Sequence, residues 1–134
     1  MAKLKLVVVT PEKKAVEAEA DEVQLPGELG YLGILPGHAP LITLLKAGVL
    51  SFKNAGAQKS FALSSGFAEV ANDSVTVLAD LAEDAAQIDR AAAEQDRARA
   101  QESLKTANQE TMEKIRGELE LAEARLAVAG KSAS

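Results

Sequence analysis

Apolar and polar residues alternate through much of the first eighty positions of this chain. Lys3-Leu4-Lys5-Leu6-Val7-Val8-Val9 begins in period two and is rich in β-branched residues, which predicts a half-buried strand ended by Thr10-Pro11-Glu12. Lys14 to Ala20 alternates again, with Ala15, Glu17 and Glu19 on one face and Val16, Ala18 and Ala20 on the other, and Glu22-Val23-Gln24-Leu25 keeps the same period. Strands of this kind have one wet face. Leu41 to Leu45 is apolar enough for a buried strand, and further strands are predicted over Gly48–Lys53, Gln58–Leu63, Phe67–Val70 and Ser74–Ala79. Asn54-Ala55-Gly56, Ser64-Ser65-Gly66 and Ala71-Asn72-Asp73 separate them as turns. Many short strands with no helix between them indicate an antiparallel β-sandwich or flattened barrel.

Between residues 80 and 87 the pattern changes. All four prolines and all four aromatic residues precede this point, and all five arginines follow it. From Asp89 onward the chain is built of Ala, Glu, Gln, Arg and Leu, the residues of high helix propensity. Asp89 reads as the N-cap of a helix running to about Ala107, and Thr106-Ala107-Asn108 as the break before a second helix that ends near Ala129. Met112, Ile115, Leu119, Ala122 and Leu126 recur at spacings of three and four, a coiled-coil-like seam, while the first helix offers a thinner stripe of Ala93, Ala100, Leu104 and Ala107. The prediction is therefore α+β in two parts: an antiparallel β-sandwich over residues 1–84 and an antiparallel α-helical hairpin over 85–134. With so few large apolar side chains, the hairpin should need docking on the sandwich or on a partner, and a weakly held element with two docking places suits a switch.

One stretch fits neither pattern. Leu25 to Leu41, LPGELGYLGILPGHAPL, holds three of the four prolines and four of the nine glycines. Pro26-Gly27 and Pro36-Gly37 both read as type II reversals, with Tyr31, Leu32, Ile34 and Leu35 as a short strand or bulge between them. A loop this rich in Leu and Ile should touch something, whether its own core or a partner.

Composition narrows the chemistry. A formal charge of −5 and a pI of about 4.9 argue against a nucleic-acid partner, since phosphate binding draws on a basic excess. The absence of cysteine excludes disulfides and thiolate chemistry and fits a reducing compartment. The opening MAKLKLVVVT has too short an apolar run for a signal peptide, and no run approaches the roughly 20 apolar residues that cross a bilayer. His38 is the sole histidine and reads first as a turn residue; no metal site, Ser-His-Asp arrangement or P-loop can be built, so no catalytic residues and no cofactor are expected. Glu12, Glu17, Glu19, Asp21 and Glu22 read as solvated strand faces and turns. The confinement of arginine to the helical part is more suggestive, because guanidinium suits bidentate pairing with carboxylates on another protein.

LPGxxGxLGILPGHAPLxT, with Gly33, Ile34, Pro36 to Leu41 and Thr43, resembles the signature of the epsilon subunits of F-type ATP synthases, called delta in mitochondria. Ser65-Gly66-Phe67-Ala68-Glu69-Val70 followed by Val75-Thr76-Val77-Leu78-Ala79-Asp80 is similar to the end of that family's strand domain. The resemblance implies a non-catalytic central-stalk subunit that binds gamma, sits on the c-ring and couples ring rotation to the catalytic hexamer. It further implies C-terminal helices that reach the catalytic beta and alpha subunits and regulate ATP hydrolysis. By the same resemblance Glu28, Tyr31 and His38 are expected at the c-ring contact, and Arg116 and Arg125 at acidic groups of the catalytic subunits. The expected location is peripheral, on the cytoplasmic face of a bacterial plasma membrane, without direct insertion. Some relatives bind ATP through Ile/Leu-Asp-x-x-Arg-Ala; Ile88, Asp89 and Ala93 match, but the arginine position is Ala92. Arg90 lies about 200° round the helix from position 92, so nucleotide binding is not expected. A free-standing sandwich adaptor with a coiled-coil tail fits the composition equally well and is disfavoured by the motif alone.

Overall fold

A computed structural model describes residues 2–132; residues 1, 133 and 134 of the two expected spans lie outside the described residues. Ten strands come first: β1 (Leu4–Val9), β2 (Lys14–Ala20), β3 (Glu22–Gly27), β4 (Gly30–Ile34), β5 (Leu41–Leu45), β6 (Gly48–Asn54), β7 (Ala57–Leu63), β8 (Gly66–Ala71), β9 (Ser74–Ala79) and β10 (Ala82–Glu83). A single 3-10 turn, Ala85–Gln87, leads to α1 (Arg90–Leu104) and α2 (Gln109–Ser132).

The strands run in the order β10-β7-β6-β3-β5-β8-β9-β1-β2, with β4 hydrogen-bonded to β3. All pairs are antiparallel except β1 with β9, which pair in parallel from Lys5↔Ser74 to Val9↔Leu78. The alternation of β1 does what its period demands: Leu4, Leu6 and Val8 are buried and Lys5 is exposed. Leu25, Ile34, Leu50, Leu63, Val70, Val75 and Val77 complete a core of aliphatic side chains, with Phe52 and Phe61 stacked at 6.3 Å.

Two expectations for the central stretch are corrected. Pro26-Gly27 is no reversal but the end of β3, and the Pro26 carbonyl accepts from Lys46 N at 3.0 Å. The chain turns one step later, at Glu28-Leu29, between the paired residues Gly27 and Gly30. Gly27 is required there by close approach, since a Cβ would lie 2.6 Å from the Gly30 carbonyl oxygen. Pro36-Gly37 does form the type II turn, with Gly37 at φ 88° and His38 N donating to Leu35 O at 3.0 Å. The second correction concerns β5: it is not buried. Leu45 is in the core, but Ile42 and Leu44 are 72% and 61% exposed.

Asp89 caps α1, accepting from Ala92 N at 3.0 Å. Asn108 opens α2, its Oδ1 accepting from Thr111 N and its own N–H donating to Thr111 Oγ1. The helices fold as an antiparallel pair, and α2 lies against β6 and β7. The buried contacts are small. Ala93 and Ala100 of α1 and Ala122 of α2 are buried, and a second cluster joins Ala124 and Val128 of α2 to Ala62, with Val49, Ala85 and Ile88 at its edge. The seam residues Met112, Ile115, Leu119 and Leu126 are half-buried.

Candidate functional site

The structure separates the sequence-predicted residues into three places. Glu28 and Tyr31 belong to the β3–β4 hairpin tip. Glu28 is exposed, and its N–H is held by Leu44 O at 3.0 Å. Leu29 beside it is fully exposed. Tyr31 is 58% exposed, yet its hydroxyl accepts from Val49 N at 3.1 Å, and a Cβ on Gly48 would lie 3.1 Å from that oxygen. The ring thus reaches back over the start of β6, so Tyr31 both shapes the tip and shows a face to solvent.

His38 stands at the opposite end of β4. Its turn is pinned by Asp73, whose carboxylate accepts from Gly37 N at 2.7 Å. Asp73 can do this because the β8–β9 turn holds Asn72 and Asp73 at φ 52° and 59°, a conformation that Asn and Asp tolerate. His38 Nδ1 lies 2.7 Å from the Ala39 carbonyl, which places a proton on Nδ1. Tyr31 therefore lies on β4 and His38 in the turn beyond its far end, so the two do not meet in one spot: about 13 Å of extended chain separates Tyr31 from Leu35, where that turn begins.

Sequence reading missed one exposed apolar row. On the outer side of the sandwich Leu44 of β5, Phe67 of β8, Leu78 of β9 and Val9 of β1 stand in direct register, making one row across four neighbouring strands. Leu44, Phe67 and Leu78 are 61%, 43% and 37% exposed, and Ile42 extends the row along β5. A contiguous apolar patch of this kind marks an interaction surface. The signal in the sequence was the LITLL run, interrupted only by Thr43, which cannot by itself distinguish a core strand from one facing a partner.

The helical residues divide. Arg116 is exposed and pairs with Glu113 of its own helix at 3.4 Å. Arg125 is engaged inside the molecule, its Nε 2.6 Å from Glu83 Oε1. At the start of α1, Asp89 is occupied as a helix cap, Ile88 packs beside Val128 and Ala62, and Ala92 is an exposed methyl.

Residues 3–85 match the family described as ATP synthase, Delta/Epsilon chain, beta-sandwich domain. The chain is 47% identical over 132 residues to the ATP synthase epsilon chain of Geotalea daltonii, covering 97% of this chain and 96% of that one. It is 43% identical to the ATP synthase epsilon chain of Geobacter sulfurreducens, covering 98% and 96%. Among solved structures it resembles a chain of the Euglena gracilis mitochondrial ATP synthase, OSCP/F1/c-ring, with a TM-score of 0.80 at 18% identity, covering 99% of this chain and 82% of that chain. A chain of the Tetrahymena thermophila mitochondrial ATP synthase central stalk/c-ring gives 0.56 at 12% identity, covering 99% and 98%. These two likenesses are of fold.

Proposed function

This chain belongs to the delta/epsilon family of ATP synthase subunits, and from that premise we propose that it is a non-catalytic rotor subunit, clamped between gamma and the c-ring, whose helical hairpin regulates ATP hydrolysis. The observation that carries the reading is the in-register apolar row Leu44–Phe67–Leu78, with Ile42 beside it. Its side chains are held by rigid strands and point away from the core, which is how a subunit built to pack against a larger partner spends apolar residues. Gamma is the partner assigned to this row. The c-ring contact is centred on the hairpin tip, Glu28, Leu29 and Tyr31, with His38 at its far margin in the turn that follows β4. The Euglena and Tetrahymena chains come from assemblies that include a c-ring, which supports the reading. Location follows from assembly: no described helix is long and apolar enough to cross a membrane, so attachment on the cytoplasmic face would run through the ring.

A Leu44→Asp, Phe67→Asp variant tests the gamma assignment. The subunit should fold and yet be lost from the purified complex, with affinity reduced at least about tenfold by charges placed in a desolvated contact. Full retention of that variant would overturn the assignment. For the ring contact, Tyr31→Asp with His38→Ala should lower proton-driven ATP synthesis, and an unchanged rate counts against it. Because Ala92 offers no cationic donor and Asp89 is already spent on a helix N-terminus, the isolated subunit should show no ATP binding at micromolar concentration in calorimetry.

A further inference from the structure

Arg125 sits where three elements meet. Its Nε donates to Glu83 Oε1 at 2.6 Å, and its Nη1 lies 3.9 Å from Asp96 Oδ2. Glu83 belongs to β10, the last strand of the sandwich, and Asp96 to α1, so a single guanidinium ties α2 to both. The pair is well sheltered, with Arg125 and Glu83 side chains 22% and 24% exposed. A second ion pair between α2 and the sandwich, Lys46 with Glu120, is longer at 3.8 Å and more open. The apolar part of this docking seam is Ala124 and Val128 against Ala62, with Val49, Ala85 and Ile88 at its edge. Apolar contacts are non-directional, so the short, charged hydrogen bond is the directional contact between α2 and the sandwich.

A guanidinium fork satisfied by one carboxylate cannot serve a second with the same Nε at the same time. We propose that Glu83, assisted by Asp96, is an internal acidic receptor that holds Arg125 and keeps the hairpin docked, and that a carboxylate-bearing surface of the partner assembly releases the hairpin by competing for that guanidinium. The proposal rests on the reading of the hairpin as a regulator. Its consequence is that docking and partner binding by Arg125 are mutually exclusive, with Glu83 setting the balance. Arg116, exposed and paired within its own helix, remains accessible in the docked state and can make a first contact before the exchange.

The chain lacks cysteine, so a pair of nitroxide labels can be placed at Gln58→Cys on β7 and Ala127→Cys on α2, both exposed. In the full-length isolated subunit, electron–electron distance measurement should show mainly the short, docked separation. Glu83→Gln and Arg125→Gln should each raise the undocked-to-docked ratio roughly five- to twentyfold, and the double variant should go no further than either alone. Arg97→Gln, which changes an exposed α1 arginine, should leave the ratio unchanged. Unchanged ratios in the two latch variants, additive effects in the double variant, or equal undocking by Arg97→Gln would each overturn the latch. In the assembled complex the two latch variants should act in opposite directions. Glu83→Gln frees Arg125 for the partner and should lower ATP hydrolysis, whereas Arg125→Gln removes the shared group and should raise it. Changes of the same sign would overturn the competition. Undocking in the free subunit with hydrolysis indifferent to both variants would instead defeat the regulator reading while the latch itself stood.

Discussion

The sandwich and the hairpin are made of different material. Inside the sandwich Leu4, Leu6, Leu25, Ile34, Leu50 and Leu63 are almost completely buried, together with five valines. In the hairpin the buried side chains among the described residues are Ala93, Ala100, Ala122, Ala124 and Val128. Burial of a large aliphatic side chain contributes about 1.5–3 kcal/mol, and each buried methylene about 0.8 kcal/mol, so alanine contacts contribute far less. The strands are also tied by long-range pairing, whereas each helix satisfies its own backbone whether docked or free. The difference teaches a division of labour. On the proposed reading, the sandwich presents a fixed face, while the hairpin, docked here on β6 and β7, is able to leave that place.

Several substitutions can break or sharpen that contrast. The largest effect is expected in the sandwich: Leu50→Ala, at a side chain with no exposure, should destabilise the chain by about 2–5 kcal/mol in urea unfolding. Removing the whole hairpin should matter less. Fragment 1–84 should fold by itself, losing about 1–2 kcal/mol as Val49 and Ala62 regain solvent, and a complex carrying it should hydrolyse ATP faster. An unfolded fragment would show that the contrast between the two regions had been drawn too sharply.

The smallest effect is an acid-dependent one. Lys3 bridges Asp21 and Asn54 at 2.7 Å, and Asp21 also accepts from Ala55 N. The Lys3 hydrogen bond first, and the Ala55 N–H second, hold the Asp21 carboxyl below the usual aspartate range. A depressed carboxylate stabilises the fold above its unfolded value and loses that contribution as pH falls through its folded value, so the loss should begin below about pH 4. Asp21→Asn should flatten this part of the melting-temperature profile and leave the neutral-pH melting temperature within a few degrees, whereas an unaltered acid limb would show that the bridge contributes nothing.

How much of this was legible depended on range. Local periodicity carries β1 and β2, where Leu4, Leu6, Val16 and Ala20 point inward on schedule. The Asp89 cap is legible too, because it acts on an N–H three residues away, and Asn108, read as part of the break between the helices, acts in the same way. Pro26-Gly27 misled because nothing local announces that Lys46 will supply a donor to the Pro26 carbonyl. β10 is two residues long, too short for any period. Leu41–Leu45 shows that an apolar run records only that a strand avoids water on both faces; a second face can be covered by another protein. The pairing of Arg125 with Glu83 was the least accessible of all, since the two are 42 residues apart and nothing local links them.

Native-state hydrogen exchange on the intact subunit tests the central claim most directly. Amides of Leu6, Leu50 and Val77 should exchange only through global unfolding, while those of Ala122 and Ala124 in α2 should exchange through a smaller opening, roughly a hundredfold faster and with weaker urea dependence. Exchange of both sets at one rate with one urea dependence would mean that the hairpin and sandwich open as a single unit, and the account of a fixed platform carrying a movable hairpin would be wrong.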